Sequence, residues 1–225
     1  MTTFQRARSD EQREIRRRAI LDTASAMLAE MPVSQVSLNE LSRRVGLAKS
    51  NVLRYFESRE AVLLELLDVA LREWLEQYEA ELTAAVAPGT PPTRRAREIA
   101  AVTAETLAAR PVLCDLISSQ AAVLERNVSA EVAATYKHST IANVGILVRI
   151  LGTHLPELGE EDTFQFGAAT VLVAGSVWTH AHPSAAMLAA YEADPELAAI
   201  RLDFTDTMRG ALEVFLRGLL ARAAD

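Results

Sequence analysis

Cysteine occurs once in 225 residues, at Cys114. An internal disulfide and a thiolate metal cluster are thereby excluded, and a reducing compartment is the expected setting. Asn-Gly and Asp-Gly hairpin turns are absent, and no window sustains the period-two alternation of a half-buried strand, which argues against sandwiches and barrels. The longest apolar stretch, 166–178, stops short of the ~20 residues a membrane-spanning helix needs. MTTFQRARSDEQREIRRR lacks the apolar core of a secretory signal, so the protein is expected to be soluble and cytoplasmic. Catalytic signatures are missing too: no G-x-S-x-G elbow, no phosphate loop, no H-E-x-x-H or E-x-x-H pair, no glycine-rich cofactor turn. His138, His154, His180 and His182 have no cysteine or carboxylate partner at ligand spacing. Neither a metal nor a cofactor is expected, and the chain does not read as an enzyme.

What is present is helix. Half of the residues are hydrophobic and 24% are charged, the balance of an ordinary globular chain. Apolar residues recur at three- and four-residue spacing almost throughout, and most prolines fall between such segments. The pattern predicts an all-α protein of about nine or ten helices, over 10–30, 38–45, 49–55, 58–87, 94–109, 111–126, 130–154, 160–181, 184–191 and 203–223. In the first, Ile15, Ala19, Leu21 and Leu28 are expected to contribute to an apolar stripe.

Charge is divided unevenly. Residues 1–60 hold 11 Lys+Arg against 8 Asp+Glu, a balance of +3, and the remainder of a chain of formal charge -7 therefore carries -10. A basic front piece on an acidic body suggests one part that meets a polyanion and another that does not. Within the front piece, SLNELSRRVGLAKSNVLRYF reads as two short helices with a tight turn between them. Ser37 and Glu40 form an S-x-x-E capping box, Leu38, Leu41 and Val45 share one face, and Gly46 stops the first helix. On the second, Val52 and Phe56 face inward, and Lys49, Ser50, Asn51, Arg54 and Tyr55 are left for the outside. Those side chains suit a DNA groove: arginine forks onto guanine or phosphate, asparagine pairs with adenine, serine and tyrosine reach phosphates. Ser37, Asn39 and Arg44 extend this face, and Ser58 with Arg59 opens the long helix beside an expected phosphate.

At these residues the chain resembles the tetracycline-repressor (TetR) family of bacterial regulators. The family's segment is glycine, hydrophobic, x, lysine, x, x, leucine-tyrosine, x, x, phenylalanine, x, x, lysine; Gly46, Leu47, Lys49, Val52, Phe56 and Arg59 fit it. Two positions depart, Leu53 where the family usually has tyrosine and Ala48 where a capping serine is frequent. The resemblance spans roughly residues 10–65; beyond it only architecture matches. It implies a homodimer with an operator-binding helix-turn-helix head, 1–57, and a helical ligand-binding and dimerisation body, 58–225. Residues 1–9, with Arg6 and Arg8, are expected to form a flexible arm.

The expected function is a ligand-responsive transcriptional regulator, a repressor on a pseudo-palindromic double-stranded operator, released by a small and mainly apolar effector. The alternatives are a helical protein-interaction module and a regulator without an effector. Cys114, Leu116, Phe166, Trp178 and Met187 are candidates to line the ligand pocket. Small and apolar residues at helical spacing place Gly167, Ala174 and Gly175, with Phe204, Met208, Ala211, Phe215 and Gly218, at an expected two-fold dimer interface. An effector that repacks the body and tilts the long helix would act through a coupling free energy of about 1–3 kcal/mol.

Overall fold

The computed structural model describes residues 3–224, with side chains from residue 11 onward, so Arg6 and Arg8 lie outside the described side chains. Eleven α-helices and two single 3-10 turns make up its regular structure, with no strand among the described residues. Among the described residues no helix is long and apolar enough to cross a membrane. The chain divides into two compact units, Met1–Val69 with Ser119–Lys137, and Ala70–Ser118 with His138–Asp225. The first therefore extends past the expected boundary at 57 and takes in a later segment of the chain.

The first unit holds α1 (Thr3–Glu30), α2 (Leu38–Val45), α3 (Lys49–Val52) and the start of α4 (Arg59–Ala85). Its later segment adds a 3-10 turn, Leu124–Arg126, and the beginning of α7 (Ala130–His154). Ile20, Ala24, Met27 and Leu28 form the buried stripe of α1, at the i, i+4, i+7, i+8 spacing of one helix face. Ile15, expected in that stripe, points to solvent at 61% exposure. Leu41, Val52, Phe56, Val62 and Leu63 are buried as well. A helix as short as α3 has no stability of its own. Burying Val52 and Phe56, at about 1.5–3 kcal/mol each, holds it in place.

The second unit holds α5 (Pro92–Ala108), most of α6 (Pro111–Ser119), α8 (Glu160–Ala181), α9 (Ala185–Ala193), α10 (Pro195–Ala198) and α11 (Phe204–Ala223). Proline opens α5, α6 and α10, where its missing N–H would have had no intrahelical partner. α11 packs against α5 and α8. The helix expected over 111–126 stops at Ser119. Ser118 Oγ turns back to donate to Asp115 O at 2.8 Å, the local competition that makes serine a weak helix former.

Candidate nucleic-acid interface

Ser37 takes the extended conformation of an N-cap, and its Oγ accepts from Glu40 N–H at 3.2 Å. The capping box is not closed by Glu40, whose carboxylate is taken by Arg43 and Arg44. Hydrogen bonds from those two guanidinium groups hold the Glu40 carboxyl down at about 2. At the far end Gly46 sits at φ 73, ψ 29. Leu47 N–H reaches back to Ser42 O at 3.0 Å and Gly46 N–H to Arg43 O at 3.2 Å. This pairing satisfies the last carbonyls of α2 and turns the chain into α3.

Ala48 supplies no side-chain cap to α3. Regular helix ends at Val52, but the spiral tightens and continues: Arg54 N–H donates to Asn51 O, Tyr55 N–H to Val52 O and Phe56 N–H to Val52 O. With Val52 and Phe56 turned inward, Lys49, Ser50, Asn51, Leu53 and Arg54 are exposed and Tyr55 is half-buried. Ser37 and Asn39 are exposed on α2. Arg44 is drawn to Glu30 at 2.7 Å and Glu40 at 2.9 Å. Among the described residues neither Lys49 nor Arg54 has an ion-pair partner. Two unpaired cations with an amide and a hydroxyl between them thus share one exposed turn, chemistry suited to phosphates and base edges.

Ser58 caps α4 as its sequence position suggests, Oγ accepting from Ala61 N–H at 3.1 Å. Arg59, expected to face a phosphate, is engaged inward. Its Nε donates to Val36 O, its Nη2 to Val33 O, and its Nη1 to Glu60 Oε1 at 3.0 Å. Two residues that sequence reading passed over also belong to this region. Arg17 of α1 donates from Nη1 to Tyr55 O at 2.7 Å and from Nη2 to Glu65, with its guanidinium 4.3 Å from the centre of the Phe56 ring. Burial pushes the Glu65 carboxyl up in spite of that arginine. Glu57 accepts from Ser129 N–H at 2.6 Å, and the bond holds its carboxyl below the usual range. Arg17 sits in a run of three arginines, which reads as a solvated charge cluster.

The expected pocket residues all belong to the second unit. Cys114, Leu116 and Phe166 are closed into the core of the second unit, and Met187 is 47% exposed on α9. Trp178 stacks on His182 at 3.8 Å between ring centres and meets Phe204 edge-on at 5.2 Å. Beside that cluster lies an open cleft of about 400 Å³ lined by Ala181, His182, Ala198, Arg201, Leu202, Asp203 and Phe204.

Four residues expected at a subunit contact are instead used within the protomer. Phe204, Met208, Gly167 and Ala174 are buried in its own core. A Cβ on Gly167 would come 3.0 Å from Leu147 Cδ2. Gly175 approaches α6, where a Cβ would meet Ile117 Cγ2 at 3.3 Å. The buried stripe of α11 runs Phe204, Met208, Leu212, Leu216 and Leu219, because steps of four and three keep to one face. Ala211, Phe215 and Gly218 fall on the open side with Val214, which is 72% exposed. On α8, Leu172 is exposed at 74% and Phe164 at 54%.

Two family models match the chain. "Bacterial regulatory proteins, tetR family" matches residues 20–66, and "Tetracyclin repressor-like, C-terminal domain" matches residues 68–223. The HTH-type transcriptional regulator EthR of Mycobacterium tuberculosis is 40% identical over 60 residues, 27% of this chain and 26% of EthR. The chain thus matches about a quarter of the length of these curated relatives. Among solved structures, the fatty acid degradation regulator FadR from Bacillus halodurans has a TM-score of 0.54 at 16% identity, over 91% of this chain and 96% of that one. The TetR family regulator PfmR from Thermus thermophilus has a TM-score of 0.51 at 19% identity, over 89% and 98%. At these identities the structural likeness is one of fold.

Proposed function

The chain belongs to the tetR family of bacterial regulatory proteins, and from that premise we propose that this DNA-binding transcriptional regulator is a repressor acting as a homodimer on a pseudo-palindromic operator. The observation that carries the reading is the exposed pair Lys49 and Arg54, on α3 and the turn that continues it, without an ion-pair partner among the described residues. Lys49, Ser50, Asn51 and Arg54 enter the major groove, and Ser37, Asn39 and Tyr55 reach the sugar-phosphate backbone at its edge. Leu53, 41% exposed, offers an apolar contact of the kind a thymine methyl accepts. Arg44 contributes only to the extent that it leaves Glu30 and Glu40.

A second copy of the chain covers the open apolar faces of α8 and α11, where Phe164, Leu172, Ala211, Val214, Phe215 and Gly218 are available. Such a face, repeated by two-fold symmetry, is self-complementary. The effector is a small and mainly apolar molecule held by the second unit. The cleft beside Phe204 and His182 is the place from which it would enter or act.

Selection of duplexes from a random pool by the purified protein, followed by footprinting of the enriched sequence, tests this function. The expected footprint is two half-sites whose centres are separated by a whole number of helical turns, about 34–36 Å each. Failure to enrich any sequence, or protection of one isolated half-site, overturns it.

A further inference from the structure

The helix-turn-helix is held from both ends by arginines that bind its main chain. Three residues past the end of α3, on the turn that continues it, Arg17 binds Tyr55 O. The same guanidinium binds Glu65 on the first turns of α4 and lies against the Phe56 ring. Ahead of α2, Arg59 on the first turn of α4 binds Val33 O and Val36 O, in the segment that leads to the Ser37 cap. Its remaining nitrogen is committed to Glu60. Each guanidinium is a rigid fork whose donors point in fixed directions, so it fixes geometry as well as distance. Nε, Nη1 and Nη2 of Arg59 each donate within the protein, three of its five N–H groups, and the side chain is only 17% exposed, so it meets a phosphate only by turning out of this setting.

We propose that Arg17 and Arg59 are positioning residues, which set the pitch of the recognition turn Lys49–Arg54 against the first turns of α4, and that Arg59 is not a phosphate contact. The proposal rests on the reading of that turn as the DNA-contacting face. Base readout needs its side chains held to within about 0.5 Å, whereas sequence-independent attraction to phosphates tolerates a displaced helix. Loosening either clamp therefore costs discrimination between sequences before it costs general affinity for duplex DNA.

The test measures binding to the wild-type protein's selected operator and to an unrelated duplex, each over a salt series, with thermal melting recorded in parallel. Arg59→Lys keeps the charge but has one nitrogen in place of the rigid fork, and cannot reproduce bonds that Arg59 makes from three separate nitrogens. It is expected to weaken operator binding at least about tenfold, leave the unrelated duplex within about twofold, and leave the salt slope unchanged. Arg17→Lys is expected to do the same. Near-wild-type binding by Arg59→Lys, with Arg59→Gln lowering the salt slope by about 0.9 per lost contact, would make Arg59 a phosphate contact and overturn the proposal. Equal losses on both duplexes for Arg17→Lys, or a lower melting temperature with discrimination intact, would also overturn it. If Arg17→Lys does not fold, Glu65→Gln reads the same clamp: reduced discrimination supports the proposal and retained discrimination contradicts it. A wild-type protein with no sequence preference would overturn the DNA-contact reading itself. A wild-type preference insensitive to both arginines overturns only the clamps.

Discussion

The Tyr78 hydroxyl lies 2.7 Å from Thr103 Oγ1 in the closed core of the second unit. One helical turn away on α4, Trp74 Nε1 donates to Thr106 Oγ1 at 3.0 Å. Two polar ties thus join α4 to α5 within apolar surroundings. Burial keeps the Tyr78 phenol protonated, far above its usual range.

The two ties differ in what their loss leaves behind. Tyr78→Phe removes a hydroxyl while Thr103 Oγ1 still donates to Ile99 O at 2.7 Å, so the expected cost is about 1 kcal/mol. Thr106→Val strands a buried indole N–H, at about 1–3 kcal/mol. Urea melts of the two variants rank them; Tyr78→Phe proving the more costly would contradict this account of the core.

Gly46 is left-handed, and nothing lies within 4 Å of a Cβ added there. Gly46→Ala is therefore expected to destabilise through backbone strain alone, by about 1–2 kcal/mol. Gly46→Asn should recover part of that loss, since asparagine tolerates the conformation. Equal stabilities for all three proteins would contradict the Gly46 cap.

Cys114 is buried, its Sγ lies 3.3 Å from Leu107 O, and burial pushes the thiol up to about 12. It should resist a thiol reagent such as dithiobis-nitrobenzoate in the native protein and react once denaturant opens the second unit. Fast labelling under native conditions would show the core around α6 to be open.

Acid should weaken the first unit. Glu40 and Glu57 have folded pKa values below their unfolded ones. Their contribution is present above the ordinary carboxylate range and is lost as pH falls through the folded values. Glu65 has the opposite sign: its folded pKa is raised, so what it contributes is present at low pH and lost as pH rises through that value. In melts taken at decreasing pH, the stability difference between wild type and Glu57→Gln should shrink as Glu57 protonates. A difference that stays constant would mean the Ser129 contact does not discriminate between the two forms.

The all-α fold and the helix-turn-helix were legible because their signals are local. Ser37 and Gly46 mark the ends of α2 by their own chemistry, and Val52 and Phe56 mark the inner face by spacing. Signals that depend on a distant partner were not legible. Arg17 and Arg59 bind backbone carbonyls, which leave no trace in the identity of the residue bound. On α11, apolar residues occur on two faces, and spacing from Phe204 alone did not tell whether Ala211 and Phe215 or Leu212 and Leu216 continue the core. The packing of α11 on α5 and α8 chooses the latter.

DNA readout is assigned to the exposed turn Lys49–Arg54. Fluorescence anisotropy at fixed salt, with the operator selected by the wild-type protein, tests it most directly through Arg54→Ala. Arg54 is exposed and has no ion-pair partner among the described residues, so the fold should be unaffected, as an unchanged melting temperature would verify. The account predicts operator binding weakened at least about tenfold, the loss of one specific contact of about 1–3 kcal/mol. Operator affinity equal to that of the wild type would contradict it.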